Sequence, residues 1–163
     1  MRFQTSLWDR LLHSDVNRAD AFAGVDLSQL KSQVARDLER LLNTRRCHDD
    51  EVFHAYPMAG VSIFNFGIPD FSNKSLSSGV DRDHICLAMA RAIERHDQRL
   101  RNVTVSLRDA QSGSHGGKPS GGQAEVHRLA FDIHAVLRVT GFHDAVSFGA
   151  QFDAAGMHYQ VSH

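Results

Sequence analysis

The most informative part of the chain reads Arg36-Asp37-Leu38-Glu39-Arg40-Leu41-Leu42-Asn43-Thr44-Arg45-Arg46. It closes a helix that the apolar pattern predicts over residues 28–43. Within that helix, apolar side chains recur at spacings of four, four and three, at Leu30, Val34, Leu38 and Leu41. Such a stripe is typical of a helix that buries one face against a core. We expect Ser28 to cap its start and Asn43 to end it, because asparagine tolerates the left-handed conformation.

A second helix is predicted from about Asp81 to Asp97, with Ser78 in a capping position before it. Its apolar stripe consists of Ile85, Met89, Ala92, Ile93 and His96. A short N-terminal helix that carries Leu7, Leu11 and Leu12 is predicted as well.

After Arg101 the apolar period changes to two, which is typical of strands. Apolar and polar residues alternate in four segments, around 103–107, 129–137, 146–152 and 157–161. One apolar face per strand indicates an antiparallel sheet that is covered on one side. The predicted fold class is therefore α+β, with two or three N-terminal helices packed on one face of a small, mainly antiparallel C-terminal sheet. We expect residues 1–163 to form one domain, with a helical part at about 5–100, a sheet part at about 101–163 and a flexible loop at 110–123.

Composition excludes several function classes. A formal net charge of −1 gives no electrostatic reason to bind nucleic acid. Cys47 and Cys86 are too few and too far apart for a disulfide framework. No signal peptide and no membrane-length apolar run are recognisable, so we expect a cytoplasmic protein without membrane insertion. Four arginines cluster near one predicted helix end and mark either a solvated face or a docking patch: Arg36, Arg40, Arg45 and Arg46.

Three catalytic or ligand-binding interpretations fail on residue spacing. Gly117-Lys118-Pro119-Ser120 lacks the first glycine of a phosphate-binding loop and is interrupted by proline. The histidines show no helical metal-binding pair, so we expect no metal and no other cofactor. A glycoside hydrolase needs two carboxyl groups across a cleft, one of them kept protonated by an apolar setting. None of the four candidate carboxylates has neighbours that would raise its pKa: Glu39, Glu94, Glu125 and Asp132.

Two further stretches complete a recognisable order of motifs: Asn65-Phe66-Gly67-Ile68-Pro69-Asp70 and Ala92-Ile93-Glu94-Arg95-His96-Asp97-Gln98-Arg99-Leu100. With the opening Ser6-Leu7-Trp8-Asp9-Arg10-Leu11, they resemble the TssE family of type VI secretion baseplate wedge proteins and their relatives in contractile phage tails. The resemblance covers nearly the whole chain and implies an assembly component without enzymatic activity. It also implies assembly at the inner face of the bacterial inner membrane, with several copies in a sixfold baseplate of a protein that is monomeric alone.

In that family an acidic-Pro-Arg element after the second helix docks on the helical core bundle of the wedge, formed in type VI systems by TssF and TssG. The resemblance assigns this role to Asp97 and Arg99, with Arg45 beside them. Gln98 stands where the family usually has proline, which affects the geometry of docking.

The family also uses a sheet that resembles the handshake domain of the contractile sheath, formed by TssB and TssC. An exposed sheet edge offers unpaired backbone groups to which a sheath strand can add. The last strand carries no proline, lysine or glutamate, so it is the candidate edge, with residues Met157, His158, Tyr159, Gln160 and Val161. The first strand, Val103 to Leu107, is the other candidate. A phage-tail or other contractile injection wedge protein is the nearest alternative function, and a peptidoglycan hydrolase is the alternative from another class.

Overall fold

The computed structural model describes residues 3, 24–48, 50–72, 74–75, 78–108, 128–139, 141–153 and 156–163, except for the side chains of Asp50 and Arg128. The predicted N-terminal helix around Leu7, the loop 110–123 and Glu125 lie outside these residues. The connection predicted at Asp153–Gly156 lies partly outside them.

Helix α1 spans Leu27–Leu42, within one residue of the prediction at each end. Its cap is Asp26 and not Ser28. The Gln29 backbone N–H donates to Asp26 Oδ1 at 2.7 Å, and the Asp26 N–H donates to Gln29 Oε1 at 3.1 Å, a reciprocal capping box. Asn43 does end the helix, but with φ −85° and ψ −5° it is right-handed. The predicted left-handed conformation is therefore wrong.

Three short helical pieces follow that the sequence did not predict, because none is long enough to show a helical period. They are α2 (Asp50–Ala55), α3 (Pro57–Gly60) and a 3₁₀ turn (Ile63–Asn65). An isolated parallel β-bridge between Arg45 and Ile68 joins the two ends of the segment that contains these pieces, which we call the excursion. Gly67 is required there: its φ is +112°, and a Cβ would lie 2.4 Å from the Thr44 carbonyl oxygen.

Helix α4 spans Gly79–His96, with Ser78 as its cap. The Ser78 hydroxyl accepts a hydrogen bond from the Asp81 backbone N–H at 3.3 Å. Both the predicted cap and the predicted apolar stripe are confirmed, since Ile85, Met89 and Ile93 are buried.

The sheet is an antiparallel meander of four strands in the order β1-β2-β3-β4. The strands are β1 (Leu100–Arg108), β2 (Arg128–Val139), β3 (Phe142–Asp153) and β4 (His158–Ser162). The register of β1 shifts between Arg101 and Thr104, around Asn102 with φ +53°. Strand β1 and strand β4 are thus the two edges of the sheet.

One core joins the helices to one face of the sheet. Its fully buried members include side chains from α1, α4, β2 and β3: Val34, Leu38, Met89, Ile93, Ile133, Leu137 and Phe148. The predicted α+β class is confirmed. Among the described residues, none of the helices has the length and apolar character needed to cross a membrane.

Candidate interaction surfaces

The outer edge of β4 is occupied by side chains of α1. The Tyr159 backbone N–H donates to Asn43 Oδ1 at 2.7 Å, and Asn43 Nδ2 donates to the Tyr159 carbonyl at 2.8 Å. Two residues further along β4, the Val161 N–H donates to Glu39 Oε2 at 2.9 Å. The side chains of Asn43 and Glu39 therefore take the place that a further strand would need.

This geometry contradicts the expectation that the last strand is an unprotected edge. Tyr159 is 3% exposed and belongs to the core, while Gln160 and His158 are paired in register with β3. Met157 is exposed but precedes the strand. The absence of proline and charge in β4, on which the prediction depended, reflects a strand covered from within the molecule.

The edge of β1 lies along a groove beside α4. The Val103 backbone N–H donates to Glu94 Oε1 at 3.0 Å, and the Leu107 N–H faces the Cys86 thiol. Residues two apart in a strand direct their backbone groups to the same side, so the Val105 N–H faces the groove as well. The groove has a volume of about 640 Å³, and small α4 side chains, Cys86 and Ala90, form part of its wall.

The environment of the Cys86 thiol in this groove disfavours its thiolate form. Burial raises its pKa, and the charge of Asp83 adds to that effect, while the Leu107 N–H acts in the opposite direction. A raised pKa keeps the thiol protonated at neutral pH, and a protonated thiol is a weak nucleophile. The groove therefore offers backbone groups and space, and not a thiolate for covalent chemistry.

Asp97 and Arg99 lie together, as the family element requires, but they point inward. Arg99 Nε lies 2.9 Å from Asp97 Oδ1, and Arg99 Nη2 lies 2.7 Å from Asp97 Oδ2. The same Nη2 donates to Asp37 Oδ2 of α1 at 2.8 Å. We call these three residues the Arg99 cluster. It ties α1 to the start of β1, and Asp97 is 9% exposed.

The charge state of the Arg99 cluster follows from these contacts. Burial alone would lower the pKa of the Arg99 guanidinium, but the hydrogen bonds and charges of Asp97 and Asp37 outweigh it and raise that pKa. Arg99 therefore stays charged at every accessible pH. The Arg99 side chain is 25% exposed and compensates a buried carboxylate, so it is not the fully exposed cation that was expected. A docking role for Arg99 stays a prediction.

Two of the four arginines near the end of α1, Arg40 and Arg45, have separate structural partners. Arg40 pairs with Asp37 on the helix at 3.2 Å. Arg45 Nη1 donates to the Leu42 carbonyl at 3.0 Å and so satisfies a backbone group in the last turn. The Arg45 guanidinium carbon lies 6.0 Å from the centroid of the Tyr159 ring. Arg45 is thus half-buried at the junction of α1 and β4. These partners differ from those of the Arg99 cluster, so Arg45 has a different structural role.

An exposed apolar surface was missed by the sequence analysis. It lies on the excursion between Arg46 and Ile68, and we call it the apolar segment; its members are Val52, Tyr56, Met58, Val61, Ile63 and Phe64. Met58 and Ile63 are 81% and 82% exposed. Phe53 is buried beneath them, against Gly60. In the sequence, the only indication of this surface is a high density of large apolar residues that follow neither a helical nor a strand period.

His96 anchors the base of this excursion. Its Nε2–H donates to the Asn65 carbonyl at 2.8 Å, and its ring packs edge-on against Phe66 at 5.2 Å. Burial lowers the pKa of the imidazole, while the bond to Asn65 acts in the opposite direction. The Asn65 side chain is buried and donates to the Gly60 carbonyl at 2.8 Å. The start of the Asn65–Asp70 motif therefore connects the excursion to the end of α4 through His96.

The carboxylates considered for hydrolysis have structural partners. Glu39 and Glu94 accept the edge hydrogen bonds described above. Asp132 pairs with Arg108 on the outer face of the sheet, and the hydrogen bond from Arg108 lowers the Asp132 pKa, whereas a catalytic acid needs a raised one. Among the described residues no cluster of three potential metal ligands occurs. The lack of hydrolase activity stays a prediction.

Comparison with known proteins identifies one family. The family model described as baseplate wedge protein gp25 matches residues 28–141. Neither the curated proteins nor the solved structures contain a match to this chain.

Proposed function

Because the chain belongs to the gp25 family of baseplate wedge proteins, we propose that it is the TssE-type wedge subunit of a type VI secretion baseplate. Its family makes it a structural part of a contractile injection machine that associates with other baseplate components. The finer proposal is that it docks on the wedge core proteins TssF and TssG. It then starts polymerisation of the TssB–TssC sheath on the cytoplasmic side of the inner membrane.

The observation that carries this proposal is the open edge of β1. Its outward backbone groups face a groove of about 640 Å³. The Val103 N–H is bound by the exposed Glu94, and the Leu107 N–H is bound by the Cys86 thiol. Among the described residues, the Val105 N–H between them is therefore the group left for a partner. An extended segment of a sheath protein can pair with the stretch from Thr104 to Leu107, beyond the register shift at Asn102. Main-chain hydrogen bonds supply affinity in such strand addition, and side-chain pockets supply selectivity. We therefore move the proposed sheath contact from Met157–Val161 to β1.

Two proline substitutions test this edge. Val105→Pro removes an outward N–H of β1 and leaves the bonds to β2 in place, so we expect folding to survive and sheath assembly to stop. Val161→Pro is the matched control on the opposite edge, where the lost bond to Glu39 costs about 1 kcal/mol of stability and sheath assembly continues. Sheath formation is followed by electron microscopy or fluorescent TssB. Assembly that stops in Val161→Pro and continues in Val105→Pro would contradict the proposal.

We further propose that the apolar segment makes the contact with TssF and TssG. It is the largest group of exposed apolar side chains among the described residues, and such patches on a soluble protein mark interaction sites. The Arg99 cluster contributes indirectly, because it holds α1 against the start of β1. Direct docking by Asp97 and Arg99 is not required in this arrangement.

The docking proposal is tested by a pull-down with TssF and TssG. Ile63→Glu places a charge in the proposed interface, so we expect binding to fall at least tenfold with little change in the melting temperature. Val80→Glu is the control, since Val80 is about equally exposed but lies at the start of α4. Equal loss of binding in both variants, or full binding by Ile63→Glu, would refute the assignment. Purified protein should also fail to clear peptidoglycan.

A further inference from the structure

A second cavity lies between the sheet and the start of α4. It has a volume of about 180 Å³, and we call it the Tyr159 pocket. Its walls are mainly apolar and come from the inner face of the sheet and from α4: Ile85, Leu129, Phe131, Phe152, Met157 and Tyr159. The aromatic rings are in contact, with centroids of Phe152 and Tyr159 4.6 Å apart and those of Phe131 and Tyr159 6.3 Å apart. The segment around Phe71 completes the lining, so the pocket lies between buried residues of the sheet and the chain that leads into α4.

The size of the pocket limits its occupant. Sites for cofactors and drug-sized molecules occupy roughly 300–1,000 Å³, well above the 180 Å³ found here. One large side chain fits this space. A nucleotide or a folded element does not.

Charged side chains of both signs line the pocket at its mouth: Arg45 and Lys74 are cations, and Asp70 is a carboxylate. Arg45 lines it and approaches the Tyr159 ring. Among the described residues no carboxylate lies within ion-pair distance of Arg45, whereas Lys74 is already 3.6 Å from Asp81. Asp70, also at the mouth, accepts hydrogen bonds from the Ser72 N–H at 3.0 Å and from the Ser72 hydroxyl at 2.7 Å. These two bonds lower the pKa of Asp70, and the charge of Arg45 contributes to that effect less strongly. The lining thus holds two cations and one carboxylate, and its net positive charge favours an anion.

Tyr159 adds a hydrogen-bonding group to the apolar wall. Burial raises its pKa to about 12, so the hydroxyl is neutral and can donate. In the described part of the chain this hydroxyl has no hydrogen-bond partner. The backbone of Tyr159 is fixed by Asn43, so the ring is held in place before anything binds.

From this geometry we infer that the Tyr159 pocket binds one large apolar side chain of a protein partner, with an acidic residue next to it that pairs with Arg45. The apolar side chain fills the cavity, and the carboxylate contacts the guanidinium at its mouth. Such an anchor, one buried side chain beside a charge pair, is the usual centre of a protein interface. The inference is independent of strand addition at β1, which uses the opposite edge of the sheet.

The test uses the full chain with methyl-labelled methionine and the peptide N-acetyl-Phe-Asp-amide. Three of the four methionines report on three regions: Met157 lies at the pocket, Met89 is buried in the core and Met58 is exposed on the apolar segment. We expect saturable movement of the Met157 signal alone, caused by the phenylalanine ring. N-acetyl-Ala-Asp-amide should cause no movement, and N-acetyl-Phe-Asn-amide should bind about three- to fivefold more weakly.

Two variants complete the design. Arg45→Gln should lower the affinity for the acidic peptide to that for its asparagine analogue. Arg46→Gln, the neighbouring control, should leave the affinity for the acidic peptide unchanged. Leu129→Trp fills the cavity and should abolish the Met157 response. If Leu129→Trp does not fold, the comparison of Arg45→Gln with Arg46→Gln still tests the inference. The inference is overturned if Met157 does not respond, if Met58 responds equally, or if the alanine peptide binds as well.

Discussion

The two edges of the sheet are both flanked by a helix, yet only one is closed. At β4, α1 supplies Glu39 and the two-sided amide of Asn43, which satisfy the outward groups of Tyr159 and Val161. At β1, α4 supplies Glu94 for the Val103 N–H and the Cys86 thiol for the Leu107 N–H, and the groove lies along Val105 between them. The difference lies in which side chains the helix presents to the edge.

This difference shows how a protein can protect one sheet edge without using charge or proline in the strand itself. Natural edges are commonly blocked by residues within the strand. Here the blocking groups of β4 lie on α1, more than a hundred residues earlier in the chain. The residues of the strand alone therefore do not reveal that its outer edge is covered.

The largest effect is expected when α1 is released from the sheet. Arg99→Ala leaves Asp97 buried and without its cation, and it breaks the link to Asp37; we expect a loss of about 3 kcal/mol in the free energy of unfolding. Arg95→Ala, an exposed arginine one turn earlier, should cost less than about 0.5 kcal/mol. Chemical denaturation of both variants measures this. Similar stability of the two would mean that the Arg99 cluster does not hold the helix.

A smaller loss of stability distinguishes the covered edge at β4 from the groove edge at β1. Asn43→Ala removes both hydrogen bonds to Tyr159, and we expect it to cost about 2 kcal/mol because two sheltered backbone groups lose their partners. Glu94→Ala removes one bond at the open groove, where water can replace it, and should cost about 0.5 kcal/mol. Equal losses in urea denaturation would remove the distinction between a closed and an open edge.

The smallest effect concerns pH at the end of α4. Burial lowers the folded-state pKa of His96 below its usual 6.5, so the unfolded chain takes up a proton more readily as the solution becomes acidic. The stability contributed by neutral His96 is therefore complete above about pH 6.5 and is lost as pH falls through the folded-state pKa. His96→Gln should reduce the fall in melting temperature between pH 7 and pH 5, and His84→Gln, at an exposed site, should not. The opposite order would show that His96 is charged in the fold.

Much of the fold could be predicted because each long element has a clear period. The stripe of Leu30, Val34 and Leu38 located α1, and the alternation around Phe131 and Ile133 located β2. The cap at Asp26 was missed because Ser28 is an equally acceptable capping residue in sequence, and only the partner Gln29 distinguishes them. The short helices escaped because six residues or fewer show no period.

The interaction surfaces were harder to predict, since they depend on contacts between distant residues. The proximity of Asp97 and Arg99 was expected from the motif, but their inward direction depends on Asp37 in α1. The closure of β4 depends on Asn43, whose predicted role was local to its own helix. The Tyr159 pocket joins Arg45 to residues near the other end of the chain. No spacing within one segment contains that information.

Hydrogen exchange at single backbone N–H groups tests the central claim, that β1 and not β4 is the edge open to a partner strand. In the isolated protein, the Tyr159 and Val161 N–H groups should already be protected by Asn43 and Glu39, and the Val105 N–H should exchange faster. Addition of the TssB–TssC sheath protein should protect Val105 strongly and leave Tyr159 and Val161 unchanged. New protection at Tyr159 and Val161, with Val105 still exchanging freely, would contradict the account.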